Sequence, residues 1–201
     1  LSILLMLGIL GMVLPGQAGI HKLKYPEMRS FNLPVLEKAE LDNGLKLRLI
    51  KEDKLPMFQL TIWLKGGDVY DPVDRIGLMG LMAQTMRIGG TEKHNPDEMD
   101  LLLESKGISI GIFNTPDSIQ VSCSALSEDF DQAVALMAEM LRLPRFDPEK
   151  MNEMKTRMSG GISRRNDEPS PIAQREFTRL VYGPDFTAGA VMEYAHLDNI
   201  E

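Results

Sequence analysis

The sequence predicts an α+β domain in which an antiparallel sheet carries its helices on one face. Residues Met57 to Leu64 and Ser118 to Ala125 alternate apolar and polar side chains, the period of two expected of half-buried strands. Around them, Leu78 to Met86, Phe130 to Leu141 and Met151 to Ile162 repeat their apolar residues at three- and four-residue intervals, as amphipathic helices do. Strands with one greasy and one polar side fit an antiparallel sheet covered on a single side.

Composition bounds the reading. At 201 residues, 43% of them hydrophobic, the chain is long enough for one sizeable core, so one domain is expected. Its formal charge of −7 gives no reason to expect nucleic acid, which favours basic surfaces. The single cysteine, Cys123, has no internal disulfide partner and falls on the apolar side of a strand, where it reads as a small buried residue.

Residues Leu1 to Ala18 carry no charge, and the apolar run Ile3 to Leu14 is too short for a membrane span but suits the core of a secretory signal. Gly16-Gln17-Ala18 supplies small residues where a signal peptidase would cut. The expectation is a signal peptide over 1–18 and an exported protein, periplasmic or secreted, with no membrane association after cleavage. An uncleaved anchor is the alternative. Residues 19–36, with Pro26 and Pro34, read as an extended leader in which His21 and Lys22 are solvated.

The domain proper is expected over 37–201. A strand from Glu37 reaches Asn43-Gly44, whose positive φ angles would make a tight hairpin turn, and Leu45, Leu47 and Leu49 alternate in the returning strand. Next, Phe58, Leu60, Ile62 and Leu64 face inward, while Gln59, Thr61, Trp63 and Lys65 face outward. Trp63 there could contact substrate or pack on a neighbouring domain. An apolar helix with Leu78, Leu81, Met82 and Met86 on its core side then runs into Gly89-Gly90. Asn95-Pro96 opens another helix with a capping residue and a first-turn proline; Met99, Leu102 and Leu103 form its stripe and Gly107 ends it. His94, alone in the preceding loop, is assigned a structural role.

Ile108, Ile110 and Ile112 mark a strand, and Ile119, Val121, Cys123 and Ala125 mark its successor, whose outer face carries Ser122 and Ser124. Ser127 is expected to cap the following helix, with Glu128, Asp129 and Asp131 favourable at its positive end and Phe130, Ala133, Val134, Met137 and Leu141 inward. Asp147-Pro148 opens a helix with Met151, Met154, Met158 and Ile162 on one face. Gly160-Gly161 in its interior costs about 1 kcal/mol per residue relative to Ala. Arg164-Arg165 continue it as a solvated basic turn or as a contact for partner carboxylates. Pro171 is expected to start a helix that turns Ile172, Ala173, Phe177, Leu180 and Val181 inward, and Leu197 to Glu201 reads as the beginning of one more.

Several framing residues, Asn43-Gly44, Gly66-Gly67, Gly77-Leu78, Gly90-Thr91, Ser127-Glu128-Asp129, Asn166-Asp167-Glu168-Pro169 and Tyr182-Gly183, give the stretch from about Leu41 to about Asp185 a resemblance to the insulinase and pitrilysin family of zinc peptidases. There a helix bears H-x-x-E-H: two His at i and i+4 grip one Zn²⁺ and the Glu serves as general base toward the metal-bound water. The resemblance places Gly80 and Gln84 at the two His positions and Ala83 at the catalytic Glu. The remaining ligand, a Glu on a later helix, falls at Gly160, with Gly161 the alternative. None of these offers a good zinc donor.

The resemblance therefore implies one half of an insulinase-type repeat, truncated at its C-terminal end, with no catalytic or metal-binding residue and no cofactor of its own. It further implies a zinc-bearing homologous subunit as partner, forming with this chain a heterodimer whose shared chamber takes peptide substrate. Zinc is expected only in that partner. In that family an edge strand can also hold an extended peptide by strand addition, which assigns Ser122 and Ser124 as contacts beside Trp63, Arg164 and Arg165. Two alternatives stand: a metallopeptidase whose metal site lies in a missing second half, and a scaffold or peptide-binding module without a proteolytic partner.

Overall fold

The computed structural model describes residues 34–201; the expected signal peptide, most of the expected leader, His21 and Lys22 lie outside the described residues. The chain forms two units divided after Glu52. In the first, β1 (Glu37–Glu40) pairs antiparallel with β2 (Lys46–Leu49), Glu37 opposite Leu49 and Glu40 opposite Lys46. The turn differs from the expected two-residue type. Gly44 N–H donates to Leu41 O at 2.8 Å, Leu41 N–H to Leu45 O at 2.9 Å, and only Gly44 has positive φ, at 82°. Asp42, Asn43 and Gly44 thus form a three-residue loop with glycine in its one left-handed place.

The second unit runs β3 (Met57–Lys65), a 3-10 turn (Asp68–Tyr70), α1 (Leu78–Ile88), α2 (Pro96–Ser105), β4 (Ser109–Asn114), β5 (Ser118–Leu126), a second 3-10 turn (Ser127–Asp129), α3 (Phe130–Arg142), α4 (Pro148–Arg164), α5 (Pro169–Tyr182) and α6 (Tyr194–Asp198). Its sheet has the order β3-β5-β4, antiparallel throughout. Leu60 and Ile110 both stand opposite Cys123, and Ile62 and Ile112 both stand opposite Val121, so the apolar residues of three strands share one face. Onto that face α1, α2 and α3 bring Ala83, Met86, Met99, Leu103, Ala133, Leu136, Met137 and Met140. A second core lies between α1, α4 and the C-terminal residues: Leu81, Met154, Ile162, Leu197 and Ile200. Leu81 of α1 is fully buried in this second core, so truncating it to Ala would cost about 2–5 kcal/mol.

Local signals explain most helix boundaries. Asn95 accepts from Glu98 N–H at 2.9 Å while Glu98 Oε2 accepts from Asn95 N–H at 3.0 Å, a complete capping box. Asp147 accepts from Glu149 and Lys150 N–H ahead of Pro148. The start of α1 is capped from a distance. Gly77, at φ 97°, has no side chain to offer, so the Asp71 carboxylate reaches forward to accept Gly77 N–H at 2.7 Å and Met79 N–H at 2.8 Å.

Five expectations are corrected. The strand carrying Ser122 and Ser124 is central, not an edge: β5 pairs on both sides, and β3 and β4 bound the sheet. Ser127 does not cap α3; a 3-10 turn intervenes, and Asp129 bonds Lys106 Nζ at 2.9 Å instead. The buried stripe of α3 is Ala133, Leu136, Met137 and Met140, leaving Phe130 exposed in an edge contact with Phe58. The next helix, α5, starts at Pro169 rather than Pro171, and Phe177, Leu180 and Val181 lie on its exposed surface, Leu180 at 83%. Finally, α6 begins at Tyr194 and ends at Asp198, so Leu197 to Glu201 closes a short helix instead of opening one.

Candidate functional site

A cleft of about 640 Å³ opens where α1, α4 and the β4 edge that no other strand covers among the described residues converge. From α1 come Gly80, Gln84, Arg87 and Ile88, one helical stripe at i, i+4, i+7 and i+8. Ile110 to Asn114 supply the second wall; Met154 and Arg157 of α4 supply the third.

Gly80 leaves real space: a methyl added there would meet only Asn114 Nδ2, at 3.9 Å. Gln84 stands one turn on, so the two residues that the sequence resemblance sets at the His positions both line the cleft. Ala83 does not line it; at 1% exposure it is packed in the sheet core, so a carboxylate there would start from buried surroundings. On α4, an added methyl at Gly160 would touch only the Arg164 guanidinium, at 3.6–3.9 Å, and one at Gly161 would touch nothing within 4 Å. Helix phase separates the two glycines. At about 100° per residue, Gly161 lies about 20° from Met154 and about 40° from Arg157, whereas Gly160 lies about 120° and 60° away. Position 161 therefore shares the face that walls the cleft.

Zinc does not fit this donor set. Glycine and alanine have no ligand atoms, Gln84 offers only an amide, and among the described residues no group of three or more His, Cys, Asp or Glu is placed to hold a metal ion.

Hydrogen bonding fixes how the β4 edge presents itself. Thr115 N–H donates to Ser118 O at 2.9 Å, setting the hairpin register, so the backbones of Phe113, Gly111 and Ser109 turn toward β5 and those of Asn114, Ile112 and Ile110 turn outward. Arg87 uses one of the outward groups: its Nε donates to Ile110 O at 2.6 Å, and its Nη1 is held by Asp100 Oδ1 at 3.1 Å. At the other end, Asn114 Nδ2 donates to Asp68 and leaves Asn114 Oδ1 buried without a partner. Burial lifts the Asp68 carboxyl above its ordinary range, against the Asn114 hydrogen bond and with help from the Asp71 charge.

The remaining sequence-assigned contacts scatter. Trp63 is 66% exposed on the helix-free face of the sheet, in one cross-strand row with Gln120 and Phe113. Ser122 and Ser124 lie half-buried on that same face, as the strand parity requires. Arg164 is exposed above Gly160. Arg165 is committed within the chain: Nη1 donates to Met192 O at 2.8 Å and Nη2 to both Glu193 carboxylate oxygens at 2.8 Å, pinning the C-terminal segment to α4. These bonds make it an internal clasp. His94 has the structural role assigned to it, with Nδ1 2.8 Å from Glu139 Oε1. The sequence reading missed Arg87 and Arg157, although the α1 stripe from Gly80 to Ile88 was legible from its spacing.

Comparison with known proteins agrees with this geometry. The sequence profile described as Insulinase (Peptidase family M16) matches residues 49–185. A Helicobacter pylori protein named non-peptidase homolog YmxG is 27% identical over 152 residues, covering 75% of this chain and 35% of that protein. Mitochondrial cytochrome b-c1 complex subunit 1 of Bos taurus is 23% identical over 111 residues, covering 55% of this chain and 23% of that one. Among solved structures, a peptidase M16 inactive domain from Pseudomonas fluorescens superposes with a TM-score of 0.70 at 20% identity, over 81% of this chain and 42% of that one. A protease from Helicobacter pylori superposes with a TM-score of 0.68 at 15% identity, over 84% and 41%. The chain thus spans about a third or less of the curated relatives' length and under half of these structures. With the profile match extending over most of the domain, the chain belongs to the insulinase family of peptidases.

Proposed function

We propose that this chain is a non-catalytic insulinase-family subunit that joins a zinc-bearing homolog in an exported, peptide-degrading or peptide-processing assembly and helps to hold the substrate. One observation carries the reading: the cleft survives, walled by helix and strand edge, while the positions that would chelate metal are glycines and an amide. What remains can bind but cannot activate water. Outward-facing backbone on β4 is the feature by which an extended peptide adds to a sheet, and it requires no catalytic side chain. Export rests on the uncharged apolar run of residues 1–18; among the described residues no helix is long and apolar enough to cross a membrane.

The test is reconstitution. Alone, the chain is expected to hydrolyse no peptide; mixed with a zinc-bearing homolog from the same organism it should form a complex whose cleavage is chelator-sensitive and faster than the homolog's own. A homolog equally active with and without this chain contradicts the proposal. The similarity to a cytochrome b-c1 complex subunit supports a second reading, a structural scaffold, in which the chain enters an assembly that cleaves nothing.

A further inference from the structure

The ionisable side chains on the cleft walls are basic, in a chain that is acidic as a whole. The chain carries seven more acidic than basic residues, yet the cleft walls contain two arginines and no carboxylate. Arg87 is spoken for by Asp100 and Ile110 O. Among the described residues, Arg157 is held by Glu153 alone, one turn back on its own helix at 3.1 Å, with the arginine side chain 68% exposed. Such an exposed i, i+4 pair is weak, so Arg157 can exchange it for another carboxylate at little cost. Its guanidinium can meet an incoming carboxylate with two parallel N–H donors.

Around that charge the walls are apolar or open. Ile88, Ile110, Ile112 and Met154 supply the apolar surface, and Gly80 leaves room beside them. Arg87 also sets a boundary. Because it already occupies Ile110 O, an added strand meets unclaimed outward backbone at Ile112 and not at the Ile110 carbonyl.

We propose that the cleft selects an extended peptide bearing an acidic side chain, which Arg157 pairs while the peptide backbone docks on β4 at Ile112. This rests on the peptide-holding reading above and adds to it a charge preference and the residue that sets it. Arg157 acts here as a specificity-determining residue, and no chemical step is involved.

The experiment titrates the ¹⁵N-labelled protein at low ionic strength with three otherwise identical ten-residue peptides whose central residue is Glu, Gln or Lys. The expected result is that the Glu peptide binds about fivefold more tightly than the Gln peptide, that high salt erases the difference, and that all bound peptides slow exchange of the Ile112 amide. Arg157→Gln should equalise the Glu and Gln peptides, and Arg157→Glu should invert the order in favour of Lys. Equal binding of all three peptides to the unaltered protein, with Ile112 still protected, overturns the charge preference alone. Absence of binding and of Ile112 protection for every peptide overturns both the preference and the peptide-holding reading.

Discussion

Three glycines inside the helices that flank the cleft are the most accessible lever on the fold. Gly80 lies inside α1 and Gly160 and Gly161 lie inside α4, where glycine costs about 0.5–1 kcal/mol relative to alanine because its unfolded backbone has more freedom to lose. A methyl at these positions meets Asn114 Nδ2 at 3.9 Å, the Arg164 guanidinium at 3.6–3.9 Å, or nothing within 4 Å, so none requires its neighbours to move. The triple replacement Gly80→Ala, Gly160→Ala, Gly161→Ala should therefore raise stability by about 2 kcal/mol, which for a chain of this size is roughly 4–8 °C in Tm. Gly77→Ala is the control. At φ 97° an added Cβ would sit 2.5 Å from Met192 Sδ, and that variant should lose more than about 1 kcal/mol. Calorimetry or urea melts followed by circular dichroism read both. A triple variant no more stable than the parent would refute the placement of these glycines in unobstructed helix interiors.

Further consequences follow from the same contacts. Gly80→His and Gln84→His combined with Gly161→Glu should introduce zinc binding measurable by calorimetry, and the same His pair with Glu at 160 should bind more weakly; the reverse order would refute the helix phase assigned to α4. Thr85 Oγ1 is buried without a partner, so Thr85→Val, of nearly equal shape, should stabilise by about 1 kcal/mol, whereas a loss would show that the hydroxyl is paired. The Glu139 carboxylate, 9% exposed, is desolvated, yet the hydrogen bonds from Thr91 and His94 and the nearby His94 and Lys93 charges hold it below the ordinary carboxylate range. Its folded form is thus favoured above that ordinary range, and its contribution fades as pH falls through the lower folded value. Glu139→Gln should flatten this part of the acid limb of a Tm-versus-pH curve, and an unchanged limb would contradict the linkage.

How much of this was legible in the sequence depends on whether local spacing or long-range pairing decides the feature. Strand faces and helix stripes were readable because side-chain periodicity is local: the buried set Ile110, Ile112, Ile119, Val121, Cys123 and Ala125 follows from alternation alone. Strand order was not. Whether β5 is an edge depends on β3 pairing with it across the intervening α1 and α2, and a one-sided polar strand looks the same at the centre of a sheet as at its margin. The apolar stripe of α5 was recognised correctly as a stripe, but amphipathicity says only that a face seeks cover, and Leu180 and Phe177 find none among the described residues. Capping by Asp71 was hidden because the carboxylate acts six and eight residues ahead, beyond the reach of cap motifs. Near the cleft, the buried position of Ala83 and the clasp made by Arg165 required tertiary contacts to see.

The central claim, that an insulinase-type fold persists here without the means to hold its metal, is tested most directly by measuring zinc in the purified chain after dialysis against micromolar zinc and assaying the same sample for peptide cleavage. The account predicts far less than one zinc per chain and no chelator-sensitive hydrolysis. One tightly held zinc per chain, accompanied by cleavage that a chelator abolishes, would contradict it.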